Sequence, residues 1–187
     1  LQFDLRGGDR MFYYCTTNWV VWNLLFGALC AETSIMLYDG SPFERGGRIL
    51  FDFAEKERFT HFGCSAKFID SIEKRGLAPI ETHAFPDLRM ILSTGSPLVA
   101  ESYDYVYGKV KQDVCLSSIS GGTDIMAAFA DASPVLPVPS YARDLLGHTD
   151  DGRDPMNVLG RALKLLVQQL EHERFGAGAR TKPGKGD

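Results

Sequence analysis

The 187-residue sequence has little of several features that mark whole classes of protein. It contains no run of about 18 uninterrupted apolar residues, the length that a membrane-spanning helix needs. It also has no excess of positive charge, because 20 lysines and arginines stand against 24 aspartates and glutamates, for a formal net charge of −4. We therefore expect neither a membrane partner nor a nucleic-acid partner.

Cysteine is scarce, and no pair of cysteines has the C-x-x-C spacing typical of zinc sites. Each cysteine stands within an apolar run, which favours buried thiols over disulfides or metal ligands; the four are Cys15, Cys30, Cys64 and Cys115. Residues 1–10 have neither an initiator methionine nor the basic and apolar segments of a signal peptide. We expect a chain that begins within a longer protein and is located in the cytoplasm.

The segment from Arg10 to Asp124 alternates short apolar runs with longer stretches of helical periodicity. Such alternation predicts β-α units that build a mostly parallel sheet, which is an α/β fold. The predicted strands are Met11–Cys15, Ser34–Tyr38, His61–Gly63, Met90–Leu92 and Val114–Ser117. The predicted helices are Trp19–Leu29, Gly47–Glu57, Ala66–Arg75 and Ala100–Lys109.

The pattern changes after Met126, where a proline-rich stretch over 132–139 cannot continue a helix. Beyond it, Asp154-Pro155 is a typical helix start, and apolar residues recur at helical spacing as far as Phe175. The Gly- and Lys-rich end is typical of disorder. We divide the chain into a domain fragment at 1–138 and an appendage at 139–187 that comprises linker, amphipathic helix and disordered end.

Small and polar residues cluster where four predicted segments end, in Thr16–Trp19, Gly63–Ala66, Ser93–Pro97 and Ser120–Asp124. Ligands bind at the carboxyl ends of the strands in open α/β sheets. Glycines in such loops allow a backbone to approach a flat or anionic ligand closely. Any one of these segments, taken alone, is better explained as a turn. The residues thus predict a ligand-binding sheet edge without naming a reaction.

Five longer segments carry a resemblance to a known family: DRMFYYCTTNWVVWNLLFGAL, LYDGSPF, FGCSAKFID, ILSTGSPL and SISGGTDI. In order and spacing they resemble successive motifs of the acetoacetyl-CoA synthetases, which are acid–CoA ligases of the adenylate-forming superfamily. The resemblance covers about residues 1–138. It implies part of the N-terminal subdomain of an adenylation domain, the AMP-binding domain of these enzymes.

The resemblance also implies a reaction. In that family ATP activates the acid to an acyl-adenylate with release of pyrophosphate, and the thiol of CoA then displaces AMP. The implied substrates are acetoacetate, ATP and CoA, and the implied metal is magnesium. This is a ligase of lipid and ketone-body metabolism.

Individual residues acquire roles from the same resemblance. Gly95, Ser96 and Pro97 match the loop that lies along the adenine, and Thr123 matches the residue that contacts the α-phosphate. Asp124 matches the acidic position that helps to hold magnesium, and its carboxylate is the hard oxygen donor that magnesium needs. Thr123 and Asp124 are therefore the candidate catalytic residues. Without the family, Asp124 would be interpreted as a turn or helix N-terminal residue.

The candidate acyl pocket is assigned in the same way. Gly121 and Gly122 stand where many ligases of the superfamily carry bulkier side chains, so the resemblance implies a pocket wall set back from the acyl group. Both glycines also count among the candidate nucleotide-binding residues. Trp19 belongs to an aromatic motif that shapes the acyl pocket in relatives, although Trp19 and Trp22 at helical spacing are equally typical of a core.

The sequence departs from the family pattern in two ways. The phosphate loop, the ribose-binding aspartate and the lysine-bearing C-terminal domain of an intact ligase are absent from the 187 residues, so we expect a fragment that is inactive alone. The segment after Pro139 is weakly similar instead to the helical segment that precedes the nuclease core of HNH-endonuclease-domain proteins. The alternative is a non-catalytic chain whose C-terminal helix mediates self-association or partner binding.

Overall fold

A five-stranded parallel sheet is the centre of the computed structural model, which describes residues 3–130. Its strands are β1 (Arg10–Tyr13), β2 (Ser34–Met36), β3 (His61–Ser65), β4 (Met90–Thr94) and β5 (Cys115–Ser118). They lie in the order β2-β1-β3-β4-β5, and every neighbouring pair is parallel. The predicted mostly parallel sheet is therefore confirmed, with strand ends that differ from the predicted ones by one or two residues.

Four α-helices connect or follow these strands: α1 (Val20–Gly27), α2 (Ile49–Lys56), α3 (Ala66–Lys74) and α4 (Ala100–Tyr105). Helix α3 begins directly after β3, because the Oγ of Ser65 accepts a hydrogen bond from the backbone N–H of Phe68 at 3.1 Å. This N-cap satisfies one of the free donors of the first turn. A π-helical turn at Val106–Val110 continues α4.

Side chains of alternate strand residues enter two separate cores, one on each face of the sheet. Phe12 belongs to the larger core, which includes apolar residues of α2, α3 and α4. Its neighbours Met11 and Tyr13 belong to the smaller core, together with Val21 and Leu25 of α1. Helices thus cover both faces, as parallel sheets require.

The larger core is dominated by phenylalanine. Phe12 stacks on Phe59 with 5.1 Å between ring centroids, and Phe51 stacks on Phe62 at 5.8 Å. A cavity of about 10 Å³ lies in this core and is lined by apolar side chains, including those of Phe51 and Phe62, and by Cys64. It is large enough for no more than about one water molecule, so it is a packing defect of the core and no ligand site.

Polar contacts close the amino edge of the sheet, which is the edge at which the strands begin. The buried carboxylate of Asp9 accepts hydrogen bonds from both Nη atoms of Arg89 and from the backbone N–H of Arg6. Burial alone would raise the pKa of Asp9, but these bonds outweigh it and the pKa is lowered. His61 is fully buried beside them, with Nε2 2.8 Å from the carbonyl oxygen of Phe3. The segment before β1 is therefore hydrogen-bonded to His61 of β3 and to Arg89, the residue before β4.

The cysteines differ in burial, which corrects the expectation of four buried thiols. All four are free; Cys64 is buried, Cys15 and Cys115 are half-buried, and Cys30 is exposed. The apolar run that contains Cys30 forms α1 and the turn after it, and such a run has an outer side as well as an inner one. Phe26 and Leu29 of the same run are also exposed.

No helix within residues 3–130 is both long and apolar enough to cross a membrane. Several predictions lie outside the described residues: the domain boundary after 138, the proline-rich linker, the amphipathic helix that starts at Asp154, and the similarity of the tail to HNH-endonuclease-domain proteins.

The buried His61 predicts how stability changes with pH. Burial lowers the pKa of His61 below its ordinary value of 6.5. Below about pH 6.5 the unfolded state therefore binds a proton that the folded state does not, and the free energy of unfolding falls by up to about 1.4 kcal/mol per pH unit. Urea denaturation at pH 7.5 and pH 5.5 measures this fall. His61→Gln, which keeps a donor for Phe3, should reduce the difference between the two pH values. If the free energy of unfolding fell equally between pH 7.5 and pH 5.5 in the parent and in His61→Gln, His61 would not be the cause of the fall.

Candidate functional site

The direction in which the sheet is built reverses between β1 and β3. The chain leaves β1 toward β2 on one side, whereas β3, β4 and β5 follow in order on the other side. This reversal is the topological switch point at which open α/β sheets bind ligands. Because all five strands are parallel, the loops after β1, β4 and β5 open on this same edge.

The loop after β4 contains three of the candidate nucleotide-binding residues. Gly95 has φ +95°, a conformation that favours glycine, and it is exposed together with Ser96; Pro97 is half-buried. The Oγ1 of Thr94 donates to the carbonyl oxygen of Ile119 at 2.8 Å. The ends of β4 and β5 are thus held together, so the loop at Gly95 lies beside the segment that leads to Gly121.

The segment after β5 forms an antiparallel hairpin of β6 (Ser120–Gly122) and β7 (Ala127–Ala130). Its turn holds Thr123 and Asp124, and both side chains are exposed. The segment, which taken alone is explained as a turn, does contain one, and this turn joins two antiparallel strands. Apart from Phe129, only serine, glycine and alanine occur in the two strands of the hairpin, so no alternation of apolar and polar residues marked them in the sequence.

Gly121 has a structural reason to be glycine. It pairs with Ala128, and a Cβ atom at position 121 would overlap the carbonyl oxygen of Ala127 and lie 3.1 Å from the Cα of Ala128. The direction in which a side chain would leave residue 121 is therefore filled by β7. The backbone approach within the hairpin requires glycine here whether or not the residue borders an acyl group.

Trp19 connects the loop after β1 to the loop after β4. It is half-buried, directly precedes α1 and packs against the smaller core. A Cβ atom at Gly95 would lie 3.9 Å from both Cη2 and Cζ2 of the indole. The structure thus brings together Trp19 and Gly95, which were selected for different roles. Trp22 is also half-buried and packs against the smaller core.

Sequence reasoning missed Tyr13, which lies behind Trp19, and it noted Gly63 only as part of the segment Gly63–Ala66, without a role behind Trp19. The ring of Tyr13 meets the ring of Trp19 edge to face, with 6.2 Å between centroids. A Cβ atom at Gly63 would overlap the Tyr13 ring, where Cε2 would be 2.6 Å away. A glycine within a strand indicates close approach by another group, but the sequence does not say which group approaches.

Two glycines offer a matched test of the loop after β4. Gly95→Ala places a side chain at positive φ and should lower the free energy of unfolding by about 1–2 kcal/mol. Gly108 is exposed, has open space around its Cβ direction and has no positive φ. Gly108→Ala should be neutral or should stabilise by about 0.5–1 kcal/mol. Urea denaturation compares them, and equal effects would refute the backbone constraint at Gly95.

The comparisons with known proteins match about three quarters of the chain. No family model matches the chain. Over 134 residues the chain is 49% identical to the acetoacetyl-coenzyme A synthetase of Rhizobium meliloti, and the matched segment makes up 72% of this chain and 21% of that protein. Over 138 residues it is 43% identical to the acetoacetyl-CoA synthetase of Gallus gallus, and this segment makes up 74% of this chain and 21% of that protein.

A solved structure agrees. The acetoacetyl-CoA synthetase from Streptomyces lividans superposes with a TM-score of 0.68 at 35% identity, over 73% of this chain and 22% of that one. The chain spans about a fifth of the length of the relatives that it matches. Nearly three quarters of this protein is thus homologous to one segment of the acetoacetyl-CoA synthetases, and the chain matches a fragment of these adenylate-forming acetoacetate–CoA ligases.

Proposed function

We propose that the loops at Gly95 and Gly121 form part of the nucleotide site of an ATP-dependent acetoacetate–CoA ligase. The reaction converts acetoacetate, ATP and CoA into acetoacetyl-CoA, AMP and pyrophosphate. The observation that carries the proposal is the attachment of both loops to adjacent parallel strands, β4 and β5, within a segment homologous to acetoacetyl-CoA synthetases. The proposed location is the cytoplasm.

The adenine is assigned to the loop of Gly95, Ser96 and Pro97. Gly95 and Ser96 are exposed, and Gly95 has no side chain to hold a planar ring away from the backbone. The indole of Trp19 stands on the neighbouring side of Gly95. A flat aromatic ligand would gain contact area from both surfaces.

The phosphates and magnesium are assigned to the hairpin turn. The Thr123 hydroxyl can donate a hydrogen bond to a phosphate oxygen, and the exposed Asp124 carboxylate is an oxygen ligand of the kind that magnesium prefers. Residues 3–130 contain no group of three or more His, Cys, Asp or Glu side chains that could hold a metal. This fits magnesium, which is commonly held by one or two carboxylates together with substrate phosphates. The bound ion would neutralise phosphate charge.

The acyl group of acetoacetate is assigned to the space bordered by Trp19 and the glycines of β6. Gly121 and Gly122 carry no side chain that could cover the acyl group, although the side-chain direction of Gly121 is filled by β7, and Trp19 supplies an apolar surface. The hairpin itself also requires glycine at 121, so the size of the acyl group is the weaker reason for that residue. CoA is the proposed second substrate.

Asp124 offers the sharpest test of the nucleotide site. In a complete synthetase that carries this segment, Asp124→Asn keeps the shape of the side chain and removes its charge. We expect acetoacetate-dependent release of pyrophosphate to fall about 10- to 100-fold, because a hard divalent ion loses a charged ligand. The deficit should shrink as magnesium concentration is raised, since weaker binding is offset by mass action.

The matched control is Asp104→Asn, which removes an equally exposed carboxylate from α4. It should release pyrophosphate at the parental rate at every magnesium concentration. Circular dichroism spectra of both variants should match that of the parent. If Asp124→Asn behaved like the control, Asp124 would have only a structural place in the hairpin turn.

A further inference from the structure

The side-chain space of residue 63 is occupied by another residue. Gly63 lies within β3, directly beside Tyr13 of β1 in the parallel register. The Tyr13 ring covers the Gly63 backbone so closely that even a methyl group at 63 would overlap it. Real Cβ atoms essentially never approach ring atoms at such distances, so any side chain at 63 must displace Tyr13.

Tyr13 has little freedom to move aside without losing contacts. Its side chain is buried in the smaller core, and its hydroxyl donates a hydrogen bond to the carbonyl oxygen of Cys64 at 3.2 Å. The same ring supports Trp19 edge to face, at an angle of 87° between the planes. This is a favoured geometry for aromatic pairs, in which the positive edge of one ring meets the negative face of the other.

Trp19 in turn reaches the ligand edge. Its six-membered ring lies nearest to the side-chain direction of Gly95, where an added Cβ atom would be 3.9 Å from Cη2 and Cζ2. A row of neighbouring residues therefore leads from the β3 backbone at Gly63 through Tyr13 and Trp19 to the loop after β4. The row crosses the switch point between β1 and β3.

We propose that Gly63 is a positioning residue for this site, because the missing side chain lets Tyr13 hold Trp19 against the loop of Gly95. The residue at 63 would thereby set the width of the space beside that loop, where a planar or short acyl ligand would lie. The inference rests on the proposed function for the identity of the ligand. The placement of Trp19 by Tyr13 and Gly63 can be tested without any ligand.

Trp19 itself reports on its position, because the chain contains only two tryptophans. The Trp22→Phe variant leaves Trp19 as the sole indole and is the reference protein for the full 187-residue chain. Acrylamide quenching of fluorescence measures the accessibility of Trp19, and near-ultraviolet circular dichroism measures the order of its surroundings. Far-ultraviolet circular dichroism verifies that each variant is folded.

In this reference, Tyr13→Leu and Gly63→Ala should each raise the quenching constant, by about twofold as the half-buried indole loses its supporting ring. Tyr13→Phe keeps the ring and removes only the hydroxyl, so it should leave quenching unchanged. Gly108→Ala should also leave it unchanged, because its Cβ direction is open. If Gly63→Ala does not fold, the difference between Tyr13→Phe and Tyr13→Leu decides whether Tyr13 holds Trp19.

The double variant separates positioning from general core damage. If Gly63 acts on Trp19 only through Tyr13, adding Gly63→Ala to Tyr13→Leu should produce no further change in quenching. Additive changes, or no change in Gly63→Ala or Tyr13→Leu alone, would overturn the proposal.

A titration with ATP and magnesium then tests the proposed function independently. Nucleotide should alter Trp19 fluorescence in the reference and in Tyr13→Phe, and the change should be lost in Tyr13→Leu and Gly63→Ala. If nucleotide did not change Trp19 fluorescence in the reference, the proposed nucleotide site would be contradicted. The positioning role of Gly63 would still be decided by the quenching results. An equal response in all four proteins would overturn the link between residue 63 and the ligand.

Discussion

The parallel pairing of β1, β3, β4 and β5 is the constraint on which the other features depend. Parallel strands have their carboxyl ends at the same edge of the sheet. After each strand the chain must therefore return to the other edge, through a helix or loop, before the next strand begins. The loops that carry small and polar residues are therefore collected at one edge, whereas ion pairs and buried histidine close the other. Strand direction therefore separates the carboxyl edge, where ligand binding is proposed, from the closed amino edge.

Within this frame the two edges are stabilised by different physics. At the amino edge, Arg89 and Asp9 form a bidentate charged contact, which fixes orientation as well as distance. At the carboxyl edge, Tyr13 and Trp19 define positions by the shape of aromatic rings. Thr94 and the backbone of Ser93 hydrogen-bond to Ile119, the residue before the hairpin. Ring packing thus contributes more to the shape of the carboxyl edge than to that of the amino edge.

Much of the fold could be predicted because each strand is a short apolar run bounded by breakers, as in Met90–Thr94. The exposure of Cys30 could not, since periodicity is ambiguous in an apolar run such as that of α1. Nor could the hairpin of β6 and β7, because its residues, which are small apart from Phe129, show no alternation of apolar and polar residues. In the candidate site, the position of the loops at strand ends could be predicted from the sequence pattern. The roles proposed for Thr123 and Asp124 came from the resemblance to the acetoacetyl-CoA synthetases. The contact between Gly63 and Tyr13 needed coordinates, because it joins residues 50 positions apart.

The contacts of the closed edge define where this unit can be cut. The carbonyl oxygen of Phe3 is the partner of the buried His61 ring, the carbonyl oxygen of Asp4 accepts from Arg89, and Asp9 carries the charge that Arg89 faces. These residues precede β1 and belong to no strand, so secondary structure alone would suggest trimming them. A shorter piece that started at Arg10 would leave an imidazole and a guanidinium half-enclosed without acceptors. A piece of this chain that keeps these acceptors therefore begins ahead of its first strand.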